Sequence, residues 1–125
     1  MVRPSENELK ILQILWDRGP SSVRDVHEKI SENKDSGYTT TLKLMQIMVN
    51  KGLAERDTSS RTHIYAAAIP EQETKTDLLS RFISATFKGS SSSLVLQALG
   101  NGKTTQAELD EIKALISTIE KNNKG

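Results

Sequence analysis

The sequence predicts a mainly α protein: an N-terminal winged helix, made of three helices and a β-hairpin wing, followed by a three-helix C-terminal region. Three observations carry that expectation. Capping signals open helices in both halves of the chain, and the apolar residues behind them recur at steps of three and four. After the third helix, two short extended runs are joined by a polar tip. A boundary at Pro70 then separates residues 1–70, the expected winged helix, from residues 71–125.

The first helix is announced by Ser5-Glu6-Asn7-Glu8, a capping box in which the serine accepts from the third amide and the glutamate reaches back. Leu9, Leu12 and Trp16, flanked by Ile11 and Leu15, form a broad apolar face, and Gly19-Pro20 ends the run. Trp16 on that face reads as core. Ser22-Val23-Arg24-Asp25 opens a second helix whose inner side is Val23, Val26 and Ile30. A polar stretch from Ser31 to Gly37 precedes the third helix, which runs from about Tyr38 to Lys51 and stops at Gly52. Its apolar stripe is Leu42, Met45 and Val49, with Met48 beside it. The opposite stripe is Thr39, Lys43, Gln46 and Asn50.

Extended segments at about 53–56 and 62–67 flank the tip Asp57-Thr58-Ser59-Ser60-Arg61 and read as a hairpin. Beyond Pro70, Glu71-Gln72-Glu73 suits a helix N-terminus, and Leu78, Leu79, Phe82, Ile83 and Phe87 line one side of a helix ending near Gly89. The serine run from Ser90 to Ser93 reads as a turn, joint or cap before a short helix containing Leu94, Val95, Leu96, Ala98 and Leu99. Thr105-Gln106-Ala107-Glu108 is a second capping box, opening a helix that carries Leu109, Ile112, Leu115, Ile116 and Ile119. So small a C-terminal region struggles to bury its apolar faces alone. A second copy of the chain is the simplest cover, with Leu78, Leu79, Phe82, Ile83, Leu94, Leu109, Ile112 and Ile116 as the dimerisation residues.

Composition excludes several classes. With 35% hydrophobic and 26% charged residues the chain suits a folded, water-soluble protein, and no apolar run is long enough for a membrane span. The start, Met1-Val2-Arg3-Pro4-Ser5, lacks the apolar core of a signal peptide, so a cytoplasmic location is expected. Cysteine is absent, and the two histidines, His27 and His63, stand far apart, so no metal site is expected. There is no glycine-rich phosphate loop and no serine in a nucleophile elbow, so neither an enzyme nor a cofactor is expected.

A net charge of +1 decides nothing, but local charge does: between Asp35 and Glu55 there is no acidic residue, while Lys43 and Lys51 are present. The third helix therefore has a polar face that can approach phosphates, and double-stranded DNA is the expected partner. Thr39, Thr40 and Lys43, in its first turns, are the candidates for base edges, with Gln46 one turn further along. Arg61 and His63, at or just after the hairpin tip, are candidates for the sugar–phosphate backbone, as is Arg24 at the start of the second helix. Ser22 reads as a helix cap. Leu44 and Ile47 flank the polar stripe and keep open an alternative, a winged helix that binds another protein without direct DNA contact.

Taken together, Glu8-Leu9 through Leu15-Trp16-Asp17, Tyr38-Thr39-Thr40-Thr41-Leu42, Lys51-Gly52-Leu53, Arg61 with His63 and Tyr65, and the stretch from Gly89 to Leu99 resemble the penicillinase-repressor family of bacterial transcription regulators. The resemblance covers nearly the whole chain. It implies a homodimeric repressor of a palindromic operator, often one controlling antibiotic-resistance genes, with Thr39, Thr40 and Lys43 on the recognition helix. It also implies an upstream membrane sensor-protease as partner and cleavage in the C-terminal region, where the matching bond is Gln97–Ala98. Well-studied members carry an Asn–Phe pair there. The family's copper-responsive branch uses C-terminal cysteines, which this chain lacks.

Overall fold

The structure, a computed structural model, describes residues 2–30 and 37–123. The polar stretch expected from Ser31 lies, as far as position 36, outside the described residues. The elements run α1 (Glu6–Arg18), β1 (Ser21–Ser22), α2 (Val23–Ile30), α3 (Tyr38–Lys51), β2 (Ala54–Asp57), β3 (Ile64–Ala67), α4 (Glu71–Thr86), α5 (Ser91–Leu99) and α6 (Gln106–Asn123). The chain divides into two compact units, residues 1–79 and 80–125, and the division falls inside α4.

In the first unit, α1 begins as its capping box requires. The Glu8 amide donates to Ser5 Oγ at 3.2 Å, and the Ser5 amide donates to Glu8 Oε1 at 2.8 Å. The apolar face of α1 buries Ile11, Leu12 and Leu15, which join Val23 and Val26 of α2, Met45 and Met48 of α3, and Leu53, Ala54 and Tyr65 in one core. Trp16 is half-buried against that core, and its indole N–H donates to the Ile69 carbonyl at 3.0 Å. The segment that enters α4 is thereby tied to α1. Thr74, in the first turn of α4, is buried and donates its hydroxyl to the Pro70 carbonyl.

Three strands form a small antiparallel sheet in the order β1–β3–β2. β2 and β3 are the wing, with Ala54 opposite Ala67 and Arg56 opposite Tyr65. The strands start one or two residues later than the sequence pattern suggests, which lengthens the tip to positions 58–63. β1 is an addition to the expected hairpin: Ser21 pairs with Tyr65 and Ser22 with Ile64. Ser22 has a second duty, since its hydroxyl accepts from the Asp25 amide at 3.1 Å and caps α2.

The end of α3 is a Schellman closure. Gly52 adopts φ +81°, its amide donates to the Val49 carbonyl at 3.1 Å, and the Leu53 amide donates back to Met48 at 2.9 Å. Met48 and Leu53, the hydrophobic pair that accompanies this motif, are both buried. The chain is thus turned from the third helix directly into the wing.

In the second unit, the serine run is helical rather than a turn. Ser90 is the N-cap of α5, its hydroxyl accepting from the Ser93 amide at 3.1 Å, and Ser91 to Ser93 form the first turn. Thr105 and Glu108 make the expected reciprocal cap of α6. Phe82 and Phe87 meet edge to face with centroids 5.9 Å apart. No described residue of α5 or α6 is fully buried.

Candidate nucleic-acid interface

The third helix is anchored at both ends before it offers anything to a ligand. At its N-terminal end, Thr41 is buried and its hydroxyl lies 2.9 Å from Nδ1 of His27 on α2. The same imidazole meets the Tyr38 ring edge to face, with centroids 5.7 Å apart. His27 therefore braces α3. At the other end, Lys51 Nζ lies 2.9 and 3.1 Å from the two carboxylate oxygens of Glu8, which is buried. Burial raises the Glu8 carboxyl, but hydrogen bonds from the Ser5 amide and Lys51 outweigh it and hold the group below its ordinary value. Lys51, counted in the sequence as part of a basic window, is thus engaged internally, and Lys43 is the basic residue that α3 leaves on its outer face.

Between these anchors the outer face matches the expected stripe. Thr39, Lys43, Gln46 and Asn50 are exposed, as is Thr40, while Met45 and Met48 on the opposite side are buried. The first turn contains no acid, and the N-cap is Gly37, which has no side chain to occupy the free amides. The helix therefore presents the positive end of its dipole beside Thr39 and Thr40. Leu44 is half-buried and packed against the core, and Ile47 is half-buried. Neither is the exposed apolar anchor that a protein-binding face needs.

The structure distributes the candidate residues over two adjoining surfaces. Thr39, Thr40 and Lys43 border a shallow depression with Leu44 and Ile47. Gln46 belongs to a groove of about 510 Å³ on the wing side of α3, where it meets Arg24, Arg61 and His63. Four of the seven expected residues, Gln46 of α3, Arg24 of α2 and Arg61 and His63 by the hairpin tip, thus come together in that groove. Arg56 and Tyr38 line it too, and the sequence reading passed over both. The signal for Arg56 is strand parity: it is two residues beyond the buried Ala54, on the same side of β2. Among the described residues no carboxylate lines the groove. Asp57, next to Arg56 along the chain, accepts from the Ser59 amide at 2.9 Å, and this bond holds its carboxyl below the ordinary value.

The dimerisation candidates lie mostly in the second unit. Phe82, Ile116 and Leu79 are exposed, and Leu78, Leu94, Leu109 and Ile112 are half-buried. Ile83 is buried. Val95, Leu96, Leu115 and Ile119 add exposed apolar surface, Leu96 to the extent of 71%. Gln97 and Ala98 are exposed on the last turn of α5.

A braced helix with an acid-free outer face, a wing beside it and a basic groove between them define the class: a winged-helix transcriptional regulator of the DNA-binding kind. The chain belongs to the penicillinase repressor family, whose family model matches residues 4–118. Methicillin resistance regulatory protein MecI of Staphylococcus aureus (strain N315) is 25% identical over 113 residues, spanning 90% of this chain and 92% of that protein. The penicillinase repressor of Staphylococcus aureus is 23% identical over 120 residues, 96% of this chain and 95% of its own length. Transcriptional regulator BlaI of Mycobacterium tuberculosis (strain ATCC 25618 / H37Rv) is 34% identical over 67 residues, 53% of this chain and 49% of that protein. Among solved structures, a MarR family transcriptional regulator from Silicibacter pomeroyi DSS aligns with a TM-score of 0.46 at 19% identity, covering 94% of this chain and 67% of that one. The family is one of regulators, not enzymes. Among the described residues no helix is long and apolar enough to cross a membrane.

Proposed function

We propose that the chain is a homodimeric repressor that recognises a palindromic DNA operator. The observation that carries this reading is the acid-free outer face of α3 beside a groove lined by Arg24, Arg61 and His63. Thr39, Thr40, Lys43 and Gln46 read base edges in the major groove, and the three basic groups hold flanking phosphates. The exposed apolar residues of α4, α5 and α6 support pairing through residues 71–125, because a patch of this kind on a monomer marks an interaction surface. A two-fold dimer binds an inverted repeat whose half-sites are about one helical turn, or a multiple of it, apart. The names of the relatives support antibiotic-resistance genes as the regulated class. An upstream sensor-protease acting at Gln97–Ala98 first has to unwind the last turn of α5, where that bond lies.

Selection of bound duplexes from random-sequence DNA tests the reading. The expected product is an enriched inverted repeat, bound with an affinity that falls steeply with salt. Enrichment of no motif sinks the proposal and restores the protein-binding alternative.

A further inference from the structure

The wing sorts the charges of β2 by face. Arg56 stands opposite Tyr65 and Ala54 opposite Ala67, whereas Glu55 stands opposite Ala66 and Asp57 opposite Ile64. Cross-strand partners share a face and successive residues alternate. Ala54 and Tyr65 are buried, so theirs is the face that meets the helices, and Arg56 is on it. Both acids are on the other face. A charged strand residue with no task belongs on the solvent side, where Glu55 and Asp57 are. Arg56 instead occupies the core-side face at the point where the helical cover ends, and it lines the groove with Gln46.

We infer that Arg56 is a DNA contact, and that with Arg24 and Arg61 it forms a clamp for one sugar–phosphate strand along the groove between α3 and the wing. The inference rests on the DNA-binding reading above. Three elements, α2, β2 and the hairpin tip, each deliver one guanidinium to the same groove. Among the described residues none of the three is in an ion pair, and no carboxylate lines the groove. Like charges gathered without counter-charge repel one another until a polyanion enters, and that repulsion turns into affinity for it. The planar fork of arginine matches two phosphate oxygens at once, and the hydroxyls of Ser22 and Thr62, also in the groove, are donors for further ones. Thr39 and Lys43 stand on the neighbouring crest of α3, so a strand held here keeps its base edges within reach of that helix.

Arg56→Gln removes the charge and keeps a polar side chain of moderate length. Binding is measured across a salt series with two probes, a duplex selected by the wild-type chain from random sequence and an unselected duplex of the same length. The expected result is a plot of log affinity against log salt that is shallower by about 0.9 per protomer, about 1.8 for the bound dimer, on both duplexes. Glu55→Gln, on the opposite face, leaves the slope as in wild type, and Arg56→Lys keeps it. Circular dichroism melts verify folding. If Arg56→Gln fails to fold, Arg24→Gln and Arg61→Gln, at exposed positions, carry the same expected loss.

An unchanged slope in folded Arg56→Gln overturns the clamp while leaving the DNA-binding reading intact. A loss confined to the selected duplex also overturns it, because it makes Arg56 a base reader. Wild-type chain that binds neither duplex overturns both readings together. Inorganic phosphate separates the other source of the same chemistry. A phosphate-induced rise in melting temperature that Arg56→Gln abolishes, with no change of slope on DNA, assigns the groove to a free anion and overturns the strand clamp.

Discussion

Glu8 and Lys51 divide their burial unequally, and the consequences of removing each differ accordingly. The Glu8 side chain is 2% exposed, whereas Lys51 is 38% exposed. Without Lys51 the carboxylate is left buried with only the Ser5 amide, so Lys51→Met should cost about 3 kcal/mol of stability. Glu8→Gln keeps an acceptor for that amide and leaves a lysine that can turn to water, so its cost should be about 1 kcal/mol. Urea unfolding of both variants checks the order, and a larger loss for Glu8→Gln would contradict it. The carboxyl sits below its ordinary value in the folded chain. Its stabilisation is therefore fully present above the unfolded value of about 4.3 and is lost as pH falls through the folded one. The melting-temperature gap between wild type and Glu8→Gln should narrow as the buffer is taken from pH 7 to pH 3. On the outer side of the same helix, Lys43→Ala should weaken operator binding by roughly 1–3 kcal/mol if the ammonium reads a base. Equal weakening on operator and random duplex, measured by anisotropy titration, would assign it to the backbone instead.

At the level of elements, the helix ends were the most legible parts of the chain and the sheet the least. Caps are local: Ser5 with Glu8, Thr105 with Glu108, and Gly52 after Lys51 each lie within a few residues of the group they satisfy. β1 could not be read because two serines carry no strand signal of their own. They become a strand only when Ile64 and Tyr65 arrive beside them. Arg56 was missed for a related reason: its face is set by hairpin register, and the strand boundaries read from composition were offset from the observed ones. The serines from Ser90 onward read more readily as a mere turn than as a joint or a cap until the helix behind them is placed. Gly52 is where element geometry is most exposed to change. Open space surrounds its α-carbon, so Gly52→Ala meets no clash and suffers only the left-handed backbone, about 1–2 kcal/mol. Thermal unfolding should register that loss. Because α3 passes straight into β2 through this residue, DNA affinity should fall along with stability.

For the molecule as a whole, the two compact units differ in how they close. Among its described residues the first buries a core of ten around Leu12, Met48 and Tyr65. The second leaves Phe82, Leu96, Leu115, Ile116 and Ile119 in water, although all are large and apolar. Full burial of such side chains is worth roughly 1.5–3 kcal/mol each, which is the driving force we assign to pairing. Ile116→Glu should therefore sediment as a monomer at micromolar concentration while wild type sediments as a dimer. A wild-type monomer would refute the pairing. The bond from Trp16 to the Ile69 carbonyl has a use of its own. Trp16 is the sole tryptophan of the chain, so its emission has a single origin. An indole half shielded and hydrogen-bonded to a carbonyl shifts to the red when that bond opens and water replaces it. The unlabelled protein thus carries an optical gauge at the latch between α1 and the segment leading into α4, readable during titration, digestion or heating.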